Sequence, residues 1–325
     1  MEPSRDVAFL APLLLNQDRV NKILVALSLL LLVSIPKARA FPDFMDFFTK
    51  VRAEPLAIED QGPRKTAVVY QAKKPIPGPK PMIVLLHGFS GDADRTNEYF
   101  GLSRLAAERN FVLLSPEGTR NSAGFAFWNA TDFCCDNEKS GIDDTSYLLK
   151  LILTARERYD VDPSRIYLVG HSNGGLMSSR LACEAPSLFA AVVSLAGGTF
   201  ETDSDCKIPA PLSHLQIHAV DDPTILFERA EKYAGGRESV ERRILINGCS
   251  GPAESGGALD LVKPIPGSDT DVSLWKNCHQ GTEVALWLIK PYVGRPGAPH
   301  KPAFQSDFAH RILDWLLAQK KSQNE

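Results

Sequence analysis

Short apolar runs alternate with segments of helical spacing along most of the chain. Thr66 to Gln71 (TAVVYQ) reads as a strand. Met82 to Leu86 (MIVLL) and Phe111 to Ser115 (FVLLS) are continuous apolar runs, the pattern of strands buried on both faces. Arg165 to Val169 (RIYLV), Ala190 to Leu195, Leu215 to Ala219 (LQIHA) and Glu283 to Ile289 (EVALWLI) read as further strands. Glu98 to Arg109, Thr145 to Tyr159 and Gly174 to Cys183 carry helical spacing between them. Phe304 to Ala318 closes as an amphipathic helix with Phe308, Ile312, Trp315 and Leu316 on one face. Buried strands alternating with helices at this pace predict an α/β fold with a doubly wound, mostly parallel sheet. Residues 250–281 are rich in Gly, Pro and Ser and read as a long excursion from that sheet. No internal repeat or second composition regime appears, so one domain is expected over residues 66–325, after a lead-in at 41–65.

The N-terminus follows a different pattern. Ile23 to Ile35 is an apolar run broken only by Ser28 and Ser34, with Arg19 and Lys22 ahead of it and Ala38-Arg39-Ala40 behind. This order of charge, apolar run and small residues predicts a secretory signal peptide over residues 1–40, cleaved after Ala40. The run is too short for a spanning helix, which needs roughly 20 apolar residues, so no stable membrane anchor is expected. An exported chain permits its six cysteines to pair.

Composition narrows the partners. The chain of 325 residues carries 36 Lys and Arg against 39 Asp and Glu, a formal charge of −3, which argues against a broad basic surface for nucleic acid. Its Cys and His clusters show no metal-ligand spacing, and neither metal nor cofactor is expected. The chain is expected to act as a monomer.

The candidate chemistry begins at Gly170-His171-Ser172-Asn173-Gly174, a G-x-S-x-G pattern directly after the strand RIYLV and directly before the helix GLMSSRLAC. Strand, tight turn and helix make a nucleophile elbow, with glycines where side chains would clash. Such a turn lifts the Ser172 oxygen out of the sheet and sets the Asn173 N–H at a helix N-terminus, where it can hold an oxyanion. Leu86-His87-Gly88-Phe89-Ser90-Gly91 follows the strand MIVLL and can supply a second donor from the Phe89 N–H.

A serine hydroxyl needs a histidine to take its proton and an acid to orient that histidine. Chain order in this architecture is Ser, acid, His. His87, His171, His214 and His218 precede or flank the acid, and His279 precedes the last strand. His310 lies off the apolar stripe of the closing helix. His300, in the loop Gly297-Ala298-Pro299-His300-Lys301-Pro302, is the expected base. The acid lies just past LQIHA, where spacing alone leaves Asp221 and Asp222 both open.

These residues together resemble the secreted esterase group that includes polyhydroxybutyrate depolymerases and feruloyl esterases, of the carbohydrate esterase family 1 type. The resemblance runs from about Thr66 to the C-terminus. It rests on LLHGFSGDA, FVLLSPEG, WNATDFCCD, the Asp143-Asp144 pair, VDPSRIYLVGHSNGGLMSSRLAC and FAAVVSLAGGTF. It implies an α/β-hydrolase fold and serine esterase activity through an acyl-enzyme, on a small or polymeric ester substrate. The group's acid lies in a pattern like H-G-T-x-D, matched by His218-Ala219-Val220-Asp221-Asp222, which selects Asp222. Its histidine lies in a G-H-x-P-like loop, matched around His300. Its W-N segment implies Trp128 as a substrate-facing aromatic, with a core tryptophan as the alternative. The resemblance also implies a Cys249–Cys278 bridge. Adjacent cysteines rarely pair, so Cys134 and Cys135 are each expected to take one of Cys183 and Cys206.

Two rivals stand beside an esterase. A peptidase of the same fold finds no propeller or cap domain in the sequence. A silent carbohydrate-binding relative is opposed by the intact Ser172, Asp222 and His300.

The leader has a long segment ahead of its apolar run, with a second apolar stretch at Val7 to Leu15. A start of translation near Val20 would give an ordinary signal peptide, and N-terminal mapping of the unprocessed precursor checks this. Met1 at that terminus would overturn it.

Overall fold

A computed structural model describes residues 50–59, 61–206, 208–292 and 297–321, all within the unit formed by residues 47–325. The expected leader over residues 1–40 lies outside them.

The sheet begins inside the expected lead-in. β1 (Val51–Leu56) is an edge strand paired antiparallel with β2 (Ala67–Ala72). The runs MIVLL and FVLLS become β3 (Lys80–Leu86) and β4 (Val112–Ser115), parallel neighbours. β5 (Thr119–Arg120) and β6 (Ala126–Phe127) form a separate two-stranded ribbon. The main sheet continues through β7 (Val161–His171), β8 (Ala191–Leu195) and β9 (Ser213–Ala219). Residues 250–281, expected as an excursion, instead extend the sheet. β10 (Glu254–Leu259) and β11 (Thr270–Trp275) form an antiparallel hairpin, and β11 pairs antiparallel with β12 (Val284–Ile289). The ten strands run in the order β1-β2-β4-β3-β7-β8-β9-β12-β11-β10, with parallel pairing from β4 through β12.

Helices cover both faces because each central strand alternates its side chains between two cores. On β3, Ile83 and Leu85 join a cluster with Phe100, Phe308, Ile312 and Leu316, whereas Met82, Val84 and Leu86 join Leu148, Leu151, Leu176 and Leu181. α1 (Ala93–Phe100) and α5 (Phe308–Ala318) therefore lie on one face, and α2 (Asp144–Arg158) and α3 (Asn173–Glu184) on the other. α4 (Gly236–Ile246) packs Val240 against Val284 and Leu286 of β12.

Helix ends follow local chemistry. Asp92 caps α1 by accepting from the Arg95 N–H, and Gly101 ends it at φ 71, earlier than the spacing to Arg109 predicts. Asp143 caps α2 by accepting from the Ser146 N–H. Its neighbour Asp144 is buried and paired with Arg64 at 2.7 Å, and it also accepts from the Asn129 N–H. α5 starts after the expected Phe304 because Phe304 bridges Val262 in β fashion and stacks on Phe308.

Cys249 pairs with Cys278, as the resemblance implies. The other expected pairing is corrected. Cys183 sits on the last turn of α3, and the short helical turn 203–205 delivers Cys206 to it, 5.1 Å away between Cα atoms. That leaves Cys134 and Cys135 to pair with each other, in a turn closed by the Cys134 N–H on the Thr131 carbonyl. Among the described residues, no helix is long and apolar enough to cross a membrane.

The Cys249–Cys278 bridge closes a loop of 29 residues that includes the β10–β11 hairpin. Replacing both cysteines by serine is expected to lower unfolding free energy by about 3–4 kcal/mol in urea denaturation. Unchanged stability would contradict a constraining role.

Candidate active site

Ser172 stands between the end of β7 and the start of α3, at φ 55 and ψ −119. Such a backbone is costly for a residue with a Cβ and persists only where its surroundings force it. The glycines show what forces it. A Cβ on Gly170 would lie 2.1 Å from the Gly174 carbonyl oxygen, and one on Gly174 would lie 2.3 Å from that of Leu86. The turn is pinned by the Ser172 N–H on the Leu195 carbonyl and the Leu176 N–H on that of Ser172.

Of the two open aspartates, the structure brings Asp222 to His300. The His300 Nε2 lies 2.8 Å from Ser172 Oγ, and its Nδ1 lies 2.8 and 3.1 Å from the two Asp222 oxygens. The Asp222 side chain is fully buried, and its Oδ1 also accepts from the Thr224 and Ile225 N–H groups in the turn after Pro223. Asp221 is exposed and accepts from the Tyr292 N–H instead. His310 and His279 take no part in this cluster.

Asn173 is the first residue of α3, so its N–H has no acceptor within the helix. Its side chain is held on both ends by one residue: Oδ1 accepts from the Trp128 N–H and Nδ2 donates to the Trp128 carbonyl. Nδ2 also lies 3.5 Å from Cys134 Sγ, so the adjacent-cysteine bridge abuts this support. The Phe89 N–H has no acceptor among the described residues. Its loop is shaped from below by His87, whose Nδ1–H donates to the Gly88 carbonyl and whose Nε2 accepts from the Gly118 N–H.

The expected role of Trp128 is corrected. It is fully buried, packs on the His87 ring and donates its indole N–H to the His87 carbonyl. It follows β6, and the ribbon turns it inward, where it ties the His87 turn to Asn173. The exposed aromatics near the serine are Phe89 and Phe125, with ring centroids 5.9 Å apart.

Sequence reasoning missed the groups that hold the His300 loop. The Tyr292 hydroxyl donates to the Ala298 carbonyl, His171 Nε2–H to that of His300, and the Tyr99 hydroxyl to that of Pro302. Tyr99 precedes Pro302 by 203 residues, and no spacing pattern signals such a contact.

Fold, elbow and buried acid define the class: an α/β-hydrolase with a serine, histidine and aspartate in hydrogen-bonding contact. The family described as esterase PHB depolymerase matches residues 72–233. The chain is similar to relatives named as feruloyl esterases and as a poly(3-hydroxyalkanoate) depolymerase. It is 23% identical to feruloyl esterase B of Piromyces equi over 64% of this chain and 38% of that one. It is 25% identical to feruloyl esterase D of Neurospora crassa over 63% of this chain and 59% of that one. Across the first three curated relatives matched, the chain spans between 24% and 54% of their own length. In fold it is similar to the acetyl xylan esterase from Aspergillus awamori, with a TM-score of 0.58 at 13% identity, over 82% of this chain and 98% of that one.

Three buried histidines, two of them beside the site, are neutral. Burial pulls His87 down to about 4 and His171 and His214 down to about 3, from an ordinary value of 6.5. The unfolded chain takes up these protons near pH 6.5, and the folded chain resists them. Stability from these groups is therefore complete above pH 6.5 and is lost as pH falls toward 4, by up to about 1.4 kcal/mol per pH unit for each histidine. Urea midpoints are expected to fall steeply between pH 6.5 and 4.5, and a flat profile there would count against buried neutral imidazoles.

Proposed function

We propose that this chain is an exported serine esterase that cleaves carboxylic esters through Ser172, His300 and Asp222. The observation that carries this reading is the contact of His300 with Ser172 Oγ on one side and with the buried Asp222 on the other, at 2.8 Å each. Export is supported by the leader pattern at residues 1–40 and by three cysteine pairs with no free cysteine among the described residues.

Ser172 Oγ attacks the ester carbonyl carbon as His300 Nε2 takes its proton. Asp222 accepts from His300 Nδ1–H, holds the tautomer and stabilises the imidazolium that forms. The carbonyl oxygen becomes an oxyanion, held by the N–H groups of Asn173 and Phe89. The intermediate collapses, the bond to the alkoxide oxygen breaks, and His300 gives that oxygen its proton. Water, deprotonated by His300, then attacks the acyl-enzyme, and the acid leaves as Ser172 regains its proton. The exposed pair Phe89 and Phe125 offers an apolar surface for the body of the ester. Relatives named for feruloyl esters and for poly(3-hydroxyalkanoate) make aromatic acyl esters and short polyesters the substrates to try first.

Ser172→Ala is expected to keep its fold and lose turnover of short p-nitrophenyl esters by on the order of 10⁴-fold or more. It should also lose labelling by a fluorophosphonate, which separates an esterase from a silent relative. Undiminished hydrolysis by the variant would refute the assignment. Ethyl ferulate, acetylxylan and polyhydroxybutyrate, assayed side by side, rank the substrate classes.

A further inference from the structure

A second cavity lies away from Ser172, on the flank of the sheet between α3, α4 and residues 199–206. Its volume is about 170 Å³, and Ser179 and Cys183 of α3 line it. Ser179 is seven residues beyond the nucleophile, roughly 10 Å along the helix axis. The Cys183–Cys206 bridge forms one wall, and Phe200, Pro209 and Ile246 supply apolar surface.

Two successive arginines of α4 reach this cavity with opposite fates. Arg242 is fully engaged. Its Nε meets Asp203 at 2.8 Å, Nη1 donates to the Phe200 carbonyl, and Nη2 donates to the Glu201 carbonyl and to Glu238. It clamps the loop over the cavity. Arg243 is 7% exposed and pairs with no carboxylate among the described residues. Its one hydrogen bond beyond the helix is a 3.3 Å contact from Nη1 to the Ala210 carbonyl, so most of its five N–H groups are unused.

A buried, unpaired cation costs several kcal/mol, and folded proteins pair such charges almost without exception. The C-terminal end of α4 offers only about half an elementary charge in compensation. Burial is felt at the guanidinium, which it pulls down to about 10. His214, also lining the cavity, is neutral and supplies no counter-charge.

We infer that this cavity binds a small monocarboxylate, its carboxylate paired with Arg243 and its hydrocarbon body against Phe200, Pro209 and Ile246. A planar guanidinium matches a carboxylate through two parallel N–H donors, and the apolar walls favour a ligand with one charged end. The acids that ester cleavage releases are of this class. The site stands independently of that reaction, because no residue of the triad lines it.

The test uses the full exported chain with its disulfides intact and benzoate as the probe. Isothermal titration is expected to show saturable binding of one benzoate per chain and none of benzamide, its uncharged counterpart. Arg243→Met should weaken benzoate at least tenfold. Ile246→Trp, which fills the cavity from its partly exposed rim and leaves Arg243 in place, should do the same. Should Arg243→Met fail to fold, Ile246→Trp decides. No saturable benzoate binding by the unmodified chain would overturn the proposal. Binding that both variants retain would also overturn it, as would binding abolished by Ser172→Trp and unaffected by Ile246→Trp, which would belong to the catalytic cleft.

Discussion

The catalytic end of the molecule hangs on the space left at Gly170 and Gly174. A methyl group at either position would sit inside van der Waals distance of a backbone oxygen, the Gly174 carbonyl in one case and that of Leu86 in the other. Because the helix start can press this close to the end of β3, Ser172 is forced to φ 55 and stands clear of the sheet. The same closeness brings the Asn173 N–H beside the turn that follows β3, where Gly88 would place a Cβ only 3.3 Å from that of Ser172. The proposed nucleophile and both proposed oxyanion donors are thus set by one backbone contact rather than by three separate ones.

A tight elbow is of little use if its base is loose. His300 sits on a loop beyond the last strand, and loops are the mobile parts of a fold. Three side chains from different places in the sequence each donate to a carbonyl of that loop, at Ala298, His300 and Pro302. The middle donor, His171, belongs to the elbow itself, so the base is tied to the nucleophile through the backbone as well as through Ser172 Oγ. Either protonation state of His171 could make that tie, but a second cation facing His300 would oppose an imidazolium formed there in the proposed reaction. Burial keeps His171 neutral.

The elbow and the base were legible in the sequence for physical reasons. The glycines of G-x-S-x-G answer a clash that is local to strand, turn and helix, and chain order leaves few histidines after the last strand. Asp221 and Asp222 were not separable by spacing, since both follow β9. What distinguishes them is the turn after Pro223, whose N–H groups receive Asp222 and leave Asp221 in solvent. For Trp128 the choice between a substrate-facing and a core position was not legible, because the consecutive Phe127 and Trp128 are both buried while Phe125 is exposed, a pattern set by tertiary packing and not by strand alternation. The cysteines were misread because the reach of the turn 203–205 to the end of α3 is a tertiary fact.

The polar face of β9 shows how the buried acid is accommodated. His214, Gln216 and His218 alternate along the strand and so share one face, an unusual load for a buried parallel strand. They satisfy one another. His214 Nε2–H donates to Gln216 Oε1, and Gln216 Nε2 donates to the Gly197 carbonyl and to His218 Nδ1. With Nδ1 accepting, His218 carries its proton on Nε2 and gives it to the Ile225 carbonyl. That nitrogen lies 3.5 Å from Asp222, close enough for a full charge to compete with His300 for the carboxylate. Burial lowers the His218 pKa and keeps it uncharged. The ladder therefore presents Asp222 with a neutral dipole and leaves its carboxylate to the hydrogen bond with His300.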